Sequence, residues 1–219
     1  MQNTTHIYIY FHICTINTWR EIVTYMLNKI KESGLYNEVK EIRCVVLGEY
    51  NKDDEIWNDP KINVIYTTTD SSQYERPTLN RIYEHSQIED FKVLYLHSKG
   101  VTKPGNLFVQ DWNDFMLYFD VTLYNFCIKV LDTHDAVGVN LRHDPKLHFS
   151  GNFWWSRSSH IKTLEPCIDM DYFAPEMWIA GNRKGSFVGL WDSHICHYNV
   201  RFPKELYILH KIHPVVFKR

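Results

Sequence analysis

Several short stretches of this chain place chemically capable side chains where a polypeptide normally turns. Val93-Leu-Tyr-Leu-His-Ser-Lys-Gly100 is a hydrophobic run that ends in four residues of a different kind. There His97 suits a metal ion or the orientation of a phosphate, Ser98 adds a hydroxyl, and Lys99 offers a point charge for a diphosphate. Gly100 lets a ligand come close to the backbone. The plainer reading is a β-turn with a surface lysine and a hydrogen-bonded histidine. His148-Phe-Ser-Gly-Asn-Phe-Trp-Trp155 is the second stretch. His148, Ser150 and Asn152 supply donors and acceptors, and Gly151 lets backbone amides face a ligand. Trp154 and Trp155 point to opposite sides of a strand, so one belongs in a core while the other is free to meet a sugar face. A β-bulge between core aromatics is the competing reading.

Three further candidates are more local. Asp70 can hold a divalent cation or a ribose hydroxyl, or simply cap the turn that contains Ser71 and Ser72. Arg81, in the first turns of the helix entered at Pro77, can reach a phosphate or fix Glu75. Glu176, behind Pro175, fits a general base as well as an ordinary helix N-terminal carboxylate. His194 and His197 stand three apart and can close a metal or diphosphate site, although 12 histidines make chance clustering easy.

The elements that must carry these residues follow from periodicity. His6 to Ile13 reads as a strand, and Thr18-Trp-Arg-Glu21 as a capping box that opens a helix. Ile22, Val23, Met26, Leu27 and Ile30 recur at helical spacing, and Gly34 stops them. Strands follow at Ile42 to Leu47, Ile62 to Thr67 and Lys92 to Leu96, with a helix from Pro77 between the last two. A long helix is expected with Trp112, Phe115, Met116, Phe119, Leu123, Phe126 and Val130 on one face. Ala136 to Asn140 is a fifth strand, and Ser158 to Leu164 and Pro175 to Gly181 read as short helices. This order predicts one α/β domain over 1–219, with a central, mainly parallel mixed sheet flanked by helices. Ligands of such sheets bind beyond the carboxyl ends of the strands, which singles out Thr15, Asp70 and His97 to Gly100.

Composition excludes other classes. The net charge is −2 with no basic stripe, so no nucleic-acid partner is expected. No apolar run reaches the roughly 20 residues of a membrane span, and the N-terminus lacks a signal peptide's features. Five scattered cysteines without a CxxC suggest reduced thiols and a cytoplasmic location. Nucleotide-loop, hydrolase-elbow and zincin motifs are absent. Aromatic content of 15% exceeds what packing alone usually asks for and suits stacking on bases or sugars.

Tyr74-Glu-Arg-Pro-Thr-Leu79, Val93 to Val101, Asp111-Trp112 with Met116 and Tyr118-Phe119, His148 to Trp155, and Pro175-Glu-Met-Trp-Ile179 occur in that order. In these features the chain resembles the small GT-A-fold glycosyltransferases of large algal DNA viruses and some bacteria. The resemblance implies a UDP-sugar donor, a hydroxyl acceptor on a glycan or glycoprotein, and a divalent cation, usually Mn2+. It departs from glycogenin-like relatives at one place, where their Asp-x-Asp metal motif is replaced by His97-Ser98-Lys99. Asp70, His97, His194 and His197 are then the candidate metal ligands, or Lys99 partly takes the cation's place. Thr15 and the Asp70 region would hold the nucleoside, His97 to Gly100 with Arg81 the diphosphate, and His148 to Trp155 the sugar. An inverting reaction would need a carboxylate base, Glu176 or Asp192; the sequence leaves the stereochemistry open. The alternative from another class is a non-catalytic carbohydrate or nucleotide-sugar binding domain. A phosphotransferase or metal-dependent hydrolase is a weaker third, since no clustered carboxylate pair is visible.

Overall fold

The computed structural model describes residues 5–208, 212 and 214–218. The first half of the chain alternates strands and helices: β1 (His6–Cys14), α1 (Trp19–Glu32), a turn of helix α2 (Leu35–Glu38), β2 (Glu41–Leu47), β3 (Ile62–Thr68), α3 (Arg76–Ser86) and β4 (Phe91–His97). Helices α4 (Leu107–Leu117) and α5 (Tyr124–Val130) then precede β5 (Ala136–Gly138), β6 (Leu141–Arg142), β7 (His148–Phe149) and β8 (Trp154–Arg157). Short helices α6 (Ser158–Ile161) and α7 (Ala174–Met177), then β9 (Ser186–Gly189) and β10 (Val215–Lys218), follow.

Eight strands form one sheet in the order β10-β9-β5-β8-β4-β1-β2-β3, while β6 and β7 make a separate hairpin. β8 runs antiparallel to both β4 and β5, and β10 is antiparallel to β9; the other pairings are parallel. This is the mainly parallel mixed sheet expected from the order of elements. Such a sheet needs cover on both faces, and the central strands are apolar throughout for that reason. Along β1, Ile9, Phe11 and Ile13 face the core beneath α1, α4 and α5, whereas Tyr8 and Tyr10 face the one beneath α3 and α6.

The helix α1 starts where the sequence places it, but without the capping box. Thr18 has φ −85° and ψ 30°, and its side chain makes no cap bond. An N-cap hydroxyl needs an extended backbone to reach the free N–H groups, which Thr18 lacks. Its carbonyl still accepts the Ile22 N–H at 3.2 Å.

The long helix expected from Trp112 onward is broken by a π-turn at Tyr118–Thr122. The turn inserts a residue into the helical repeat, so every later position slips by one. Instead of Leu123, Phe126 and Val130, the buried residues are Tyr124, Cys127 and Leu131, and Phe126 is left 38% exposed. The Asp120 carbonyl within the turn accepts the Trp155 indole N–H at 2.7 Å. Neither carboxyl oxygen of Asp120 has a partner among the described residues, and burial raises its pKa well above the carboxylate range.

Candidate functional site

The strands β1 and β4 end side by side, and one residue stitches them together. The Ser98 N–H donates to the His12 carbonyl at 2.9 Å, and its Oγ accepts the Cys14 N–H at 2.9 Å. Ser98 is buried and its hydroxyl structural, although it lines the cavity that opens above it. After it the chain folds back: the Lys99 N–H meets the His97 carbonyl at 2.7 Å, and Gly100 turns at φ +105°. The cavity measures about 270 Å³. A second cavity of about 430 Å³, between α1 and α4, adjoins it at Lys99, Gly100 and Lys103.

The antiparallel strand β8 brings a second wall. Its lead-in, Gly151 and Asn152, comes to the end of β4 because β8 pairs with β4 in the opposite sense. Gly151 is the hub: its N–H donates to Glu176 Oε1 at 2.7 Å, and its carbonyl accepts from His97 Nε2 at 3.0 Å. A carbonyl only accepts, so Nε2 carries the ring proton and Nδ1 is left facing Glu75 Oε1 at 3.9 Å. Burial first, then the Lys99 charge, push the His97 pKa down to about 3, so the ring is neutral. His12, paired with Thr78 Oγ1 at 2.8 Å, is also pushed down to about 3 by burial.

Glycine is required at 151 by geometry, not by a need to expose amides, because both of its peptide groups are already engaged. With φ +97°, a Cβ would stand 2.4 Å from Met116 Sδ and 2.9 Å from Trp112 Nε1. Asn152 is buried and also adopts a positive φ of 58°; its Oδ1 accepts the Trp154 indole N–H at 3.0 Å, while Nδ2 has no acceptor among the described residues.

Charge on the cavity comes from Lys99, Lys103, Glu75 and Glu176. Lys99 Nζ lies 3.7 Å from the centre of the Trp112 ring, which also stacks on His197 at 5.0 Å. Burial pushes the Lys99 pKa down to about 8, against the opposing pull of Glu176 and Glu75. Burial likewise raises Glu75, opposed in part by Lys99. The rim is aromatic: Tyr74, Tyr172, Phe173 and Tyr198 line the cavity and are exposed. Buried Arg76 holds part of this rim, donating to the carbonyls of Asp169, Asp171 and Gln73. Asn80 adds a reciprocal pair with the Cys167 backbone.

The residues singled out from sequence therefore divide. His97, Ser98, Lys99, Gly100, Gly151, Asn152 and Glu176 line one cavity. Thr15 does not; its Oγ1 donates to the Glu49 carbonyl at 2.8 Å and ties the ends of β1 and β2. Asp70 is exposed and serves its own turn, accepting from Ser72 and Gln73. Arg81 pairs with Glu84, covers the Tyr66 ring and does not line the cavity. His148 bonds the Lys146 carbonyl, and the Ser150 N–H donates to Asn140. Trp154 and Trp155 are both fully buried, one in each core, so neither offers a platform to a sugar. Asp192 is paired with Arg142 at 2.8 Å and lies outside the cavity lining.

The four residues named for a divalent cation do not form a ligand set. Asp70 is tied to its turn, His97 to Gly151, His197 to Asn140 and Ser193, and exposed His194 stands beside Asp192. Among the described residues no group of three or more His, Cys, Asp or Glu side chains can hold a metal ion. The carboxylates that do line the cavity, Glu75 and Glu176, have a lysine for company. A divalent cation in this cavity would have, among the described residues, only these two carboxylates to draw on, and one Glu176 oxygen already accepts from the Gly151 N–H.

Glu75, Arg76, Lys103, Trp112 and Tyr198 were not marked as site residues from sequence. Glu75 was read as a partner for Arg81 and Trp112 as part of a helix face, and beyond that both entered only within the stretches that carry the family resemblance.

The chain belongs to the family described as a domain of unknown function, DUF8361, whose model matches residues 9–188. Among solved structures it is similar to the crystal structure of a protein from Desulfovibrio desulfuricans G20 provisionally described as a nucleotide-diphospho-sugar transferase. The match has a TM-score of 0.43 and 9% identity, over 86% of this chain and 81% of that one. No curated protein matches. Among the described residues no helix is long and apolar enough to cross a membrane.

Proposed function

We propose that this protein transfers a sugar from a nucleotide-diphosphate sugar, UDP-linked donors being the first to test, to a hydroxyl of a glycan or glycoprotein. The observation that carries the reading is one cavity at the ends of β1 and β4 that holds both a carboxylate, Glu176, and an ammonium, Lys99, behind an aromatic rim. The Gly151 N–H fixes Glu176 Oε1, and Oε2 has no partner among the described residues. That free oxygen takes the proton of the acceptor hydroxyl while its oxygen forms a bond to the sugar's anomeric carbon. The bond from that carbon to the diphosphate breaks, and its electron pair leaves on the phosphate oxygen. Lys99 meets the charge that develops there. A positioned base contributes about 10²–10⁴ in rate. Exposed rings at the mouth suit the apolar faces of sugars.

The test is release of nucleoside diphosphate from a panel of nucleotide sugars in the presence of glycan acceptors. Wild type should turn over at least one donor. Glu176→Gln, whose amide oxygen still accepts from Gly151, should lower kcat by about 10²–10⁴ with nucleotide affinity retained. Tight donor binding with no turnover under any condition would refute catalysis and leave a binding module.

A further inference from the structure

Lys99 is a cation whose donors are unspent. Its ammonium rests on the face of Trp112 at 3.7 Å and lines the cavity, yet among the described residues it has no hydrogen-bond acceptor and no ion-pair partner. Lys103, four residues on, repeats the arrangement: its Nζ lies 4.6 Å from the centre of the Tyr198 ring, again without an acceptor. Trp112 and Tyr198 pack edge to face at 5.2 Å, so both cations are mounted on one aromatic unit at the same cavity. An aromatic face attracts an ammonium through its quadrupole without consuming any N–H donor. The donors therefore remain for a ligand. Buried Asn152 also lines the cavity, and its Nδ2 lacks an acceptor among the described residues.

These groups describe an anion site. At neutral pH Lys99 is cationic, its pKa being about 8. Of the two nearby carboxylates, Glu75 has its pKa raised by burial, and one Glu176 oxygen is engaged by the Gly151 N–H. Each phosphate of a nucleotide-diphosphate sugar carries one negative charge, which two ammonium groups match. Among the described residues no three His, Cys, Asp or Glu side chains are grouped to hold a divalent cation there.

Resting on the glycosyl-transfer reading, we infer that Lys99 and Lys103 hold the donor's diphosphate directly, and that nucleotide binding in this cavity needs no divalent cation.

The experiment is calorimetric titration of uridine, guanosine, adenosine and thymidine diphosphates into protein freed of metal with EDTA, then repeated with Mn2+. At least one nucleotide should bind in EDTA, with affinity changed less than about threefold by Mn2+. The electron paramagnetic resonance signal of free Mn2+ should keep its amplitude when protein is added. Lys99→Met should weaken nucleotide binding about tenfold or more, the ordinary result of truncating a half-buried charge partner. Lys99→Arg, which keeps a cation on the Trp112 face, should retain most of it and controls for folding. Binding that appears only with Mn2+, or that survives Lys99→Met in a folded protein, overturns the inference. Binding under neither condition overturns the donor reading and this inference with it. Cation-free binding without sugar transfer leaves the inference standing and defeats the transfer reading alone.

Discussion

Replacing Gly151 with alanine tests the hub of the site, and its cost can be worked from two separate terms. The first is backbone strain: at φ +97° a residue with a Cβ is disfavoured by about 1–2 kcal/mol. The second is overlap. The new methyl would stand 2.4 Å from Met116 Sδ, 2.9 Å from Trp112 Nε1 and 3.0 Å from Trp112 Cε2. The methionine can swing aside, but the indole is fixed between Lys99, His197 and Tyr198. Overpacking of this kind costs about 1–3 kcal/mol. Together they predict a loss of about 2–5 kcal/mol, or about 4–20 °C in Tm for a chain of this size. Gly105→Ala is the matched control: φ is +72° and nothing lies within 4 Å, so only the backbone term applies. Thermal unfolding by circular dichroism reads both. Equal melting of the two variants would refute the close approach of Gly151 to Trp112, and with it the proposed wiring of His97 and Glu176 through one glycine.

Other expectations follow from the same contacts. Arg76→Met removes the donors that hold Asp169, Asp171 and Gln73; it should cost about 2–3 kcal/mol in denaturant unfolding and open the 167–173 segment to limited proteolysis. Lys99 faces Glu75, Glu176 and Lys103 and loses its charge as pH rises through about 8, so diphosphate affinity should fall across that pH and the step should vanish in Lys99→Met. The folding contribution of the same group has the opposite sign. Its pKa is depressed from 10.5, so stability rises between about pH 8 and 10.5 as the buried charge is shed. Trp154→Ala and Trp155→Ala should each cost about 3–5 kcal/mol of stability, as core truncations do; a loss confined to sugar affinity would contradict their burial.

Much of this architecture is written locally. β4 ends where Val93 to Leu96 gives way to His97, and that abrupt change of polarity marks the cavity without any knowledge of neighbours. Gly151, Asn152 and Glu176 were legible for a related reason, since glycine, asparagine and a proline-led helix start announce turns. The failures have two causes. Asp70 and Arg81 satisfy themselves within a few residues, and a local pattern cannot reveal that a polar side chain is already occupied. Trp154 and Trp155 were read on a strand with one open face, whereas β8 sits in the interior of an eight-stranded sheet with both faces covered. The residues overlooked act across long separations. Arg76 reaches carbonyls 93 and 95 positions away, and Lys103 finds Tyr198 from the far side of the chain. Helix slippage after the π-turn was invisible too, because the apolar spacing from Trp112 to Val130 is compatible with an unbroken α-helix.

Asp120 gives folding a proton stoichiometry. In the unfolded chain its carboxyl titrates near 3.8, while in the native core it stays protonated far above that value. At a pH between the unfolded and native pKa values each molecule therefore takes up a hydrogen ion from solvent as it folds and releases it on melting. The group's contribution is complete below about pH 3.8 and declines by about 1.4 kcal/mol per pH unit above it, until the native pKa is reached. Calorimetric unfolding enthalpies in buffers of different ionisation heat would register that hydrogen ion, and Asp120→Asn, neutral at every pH, would abolish it.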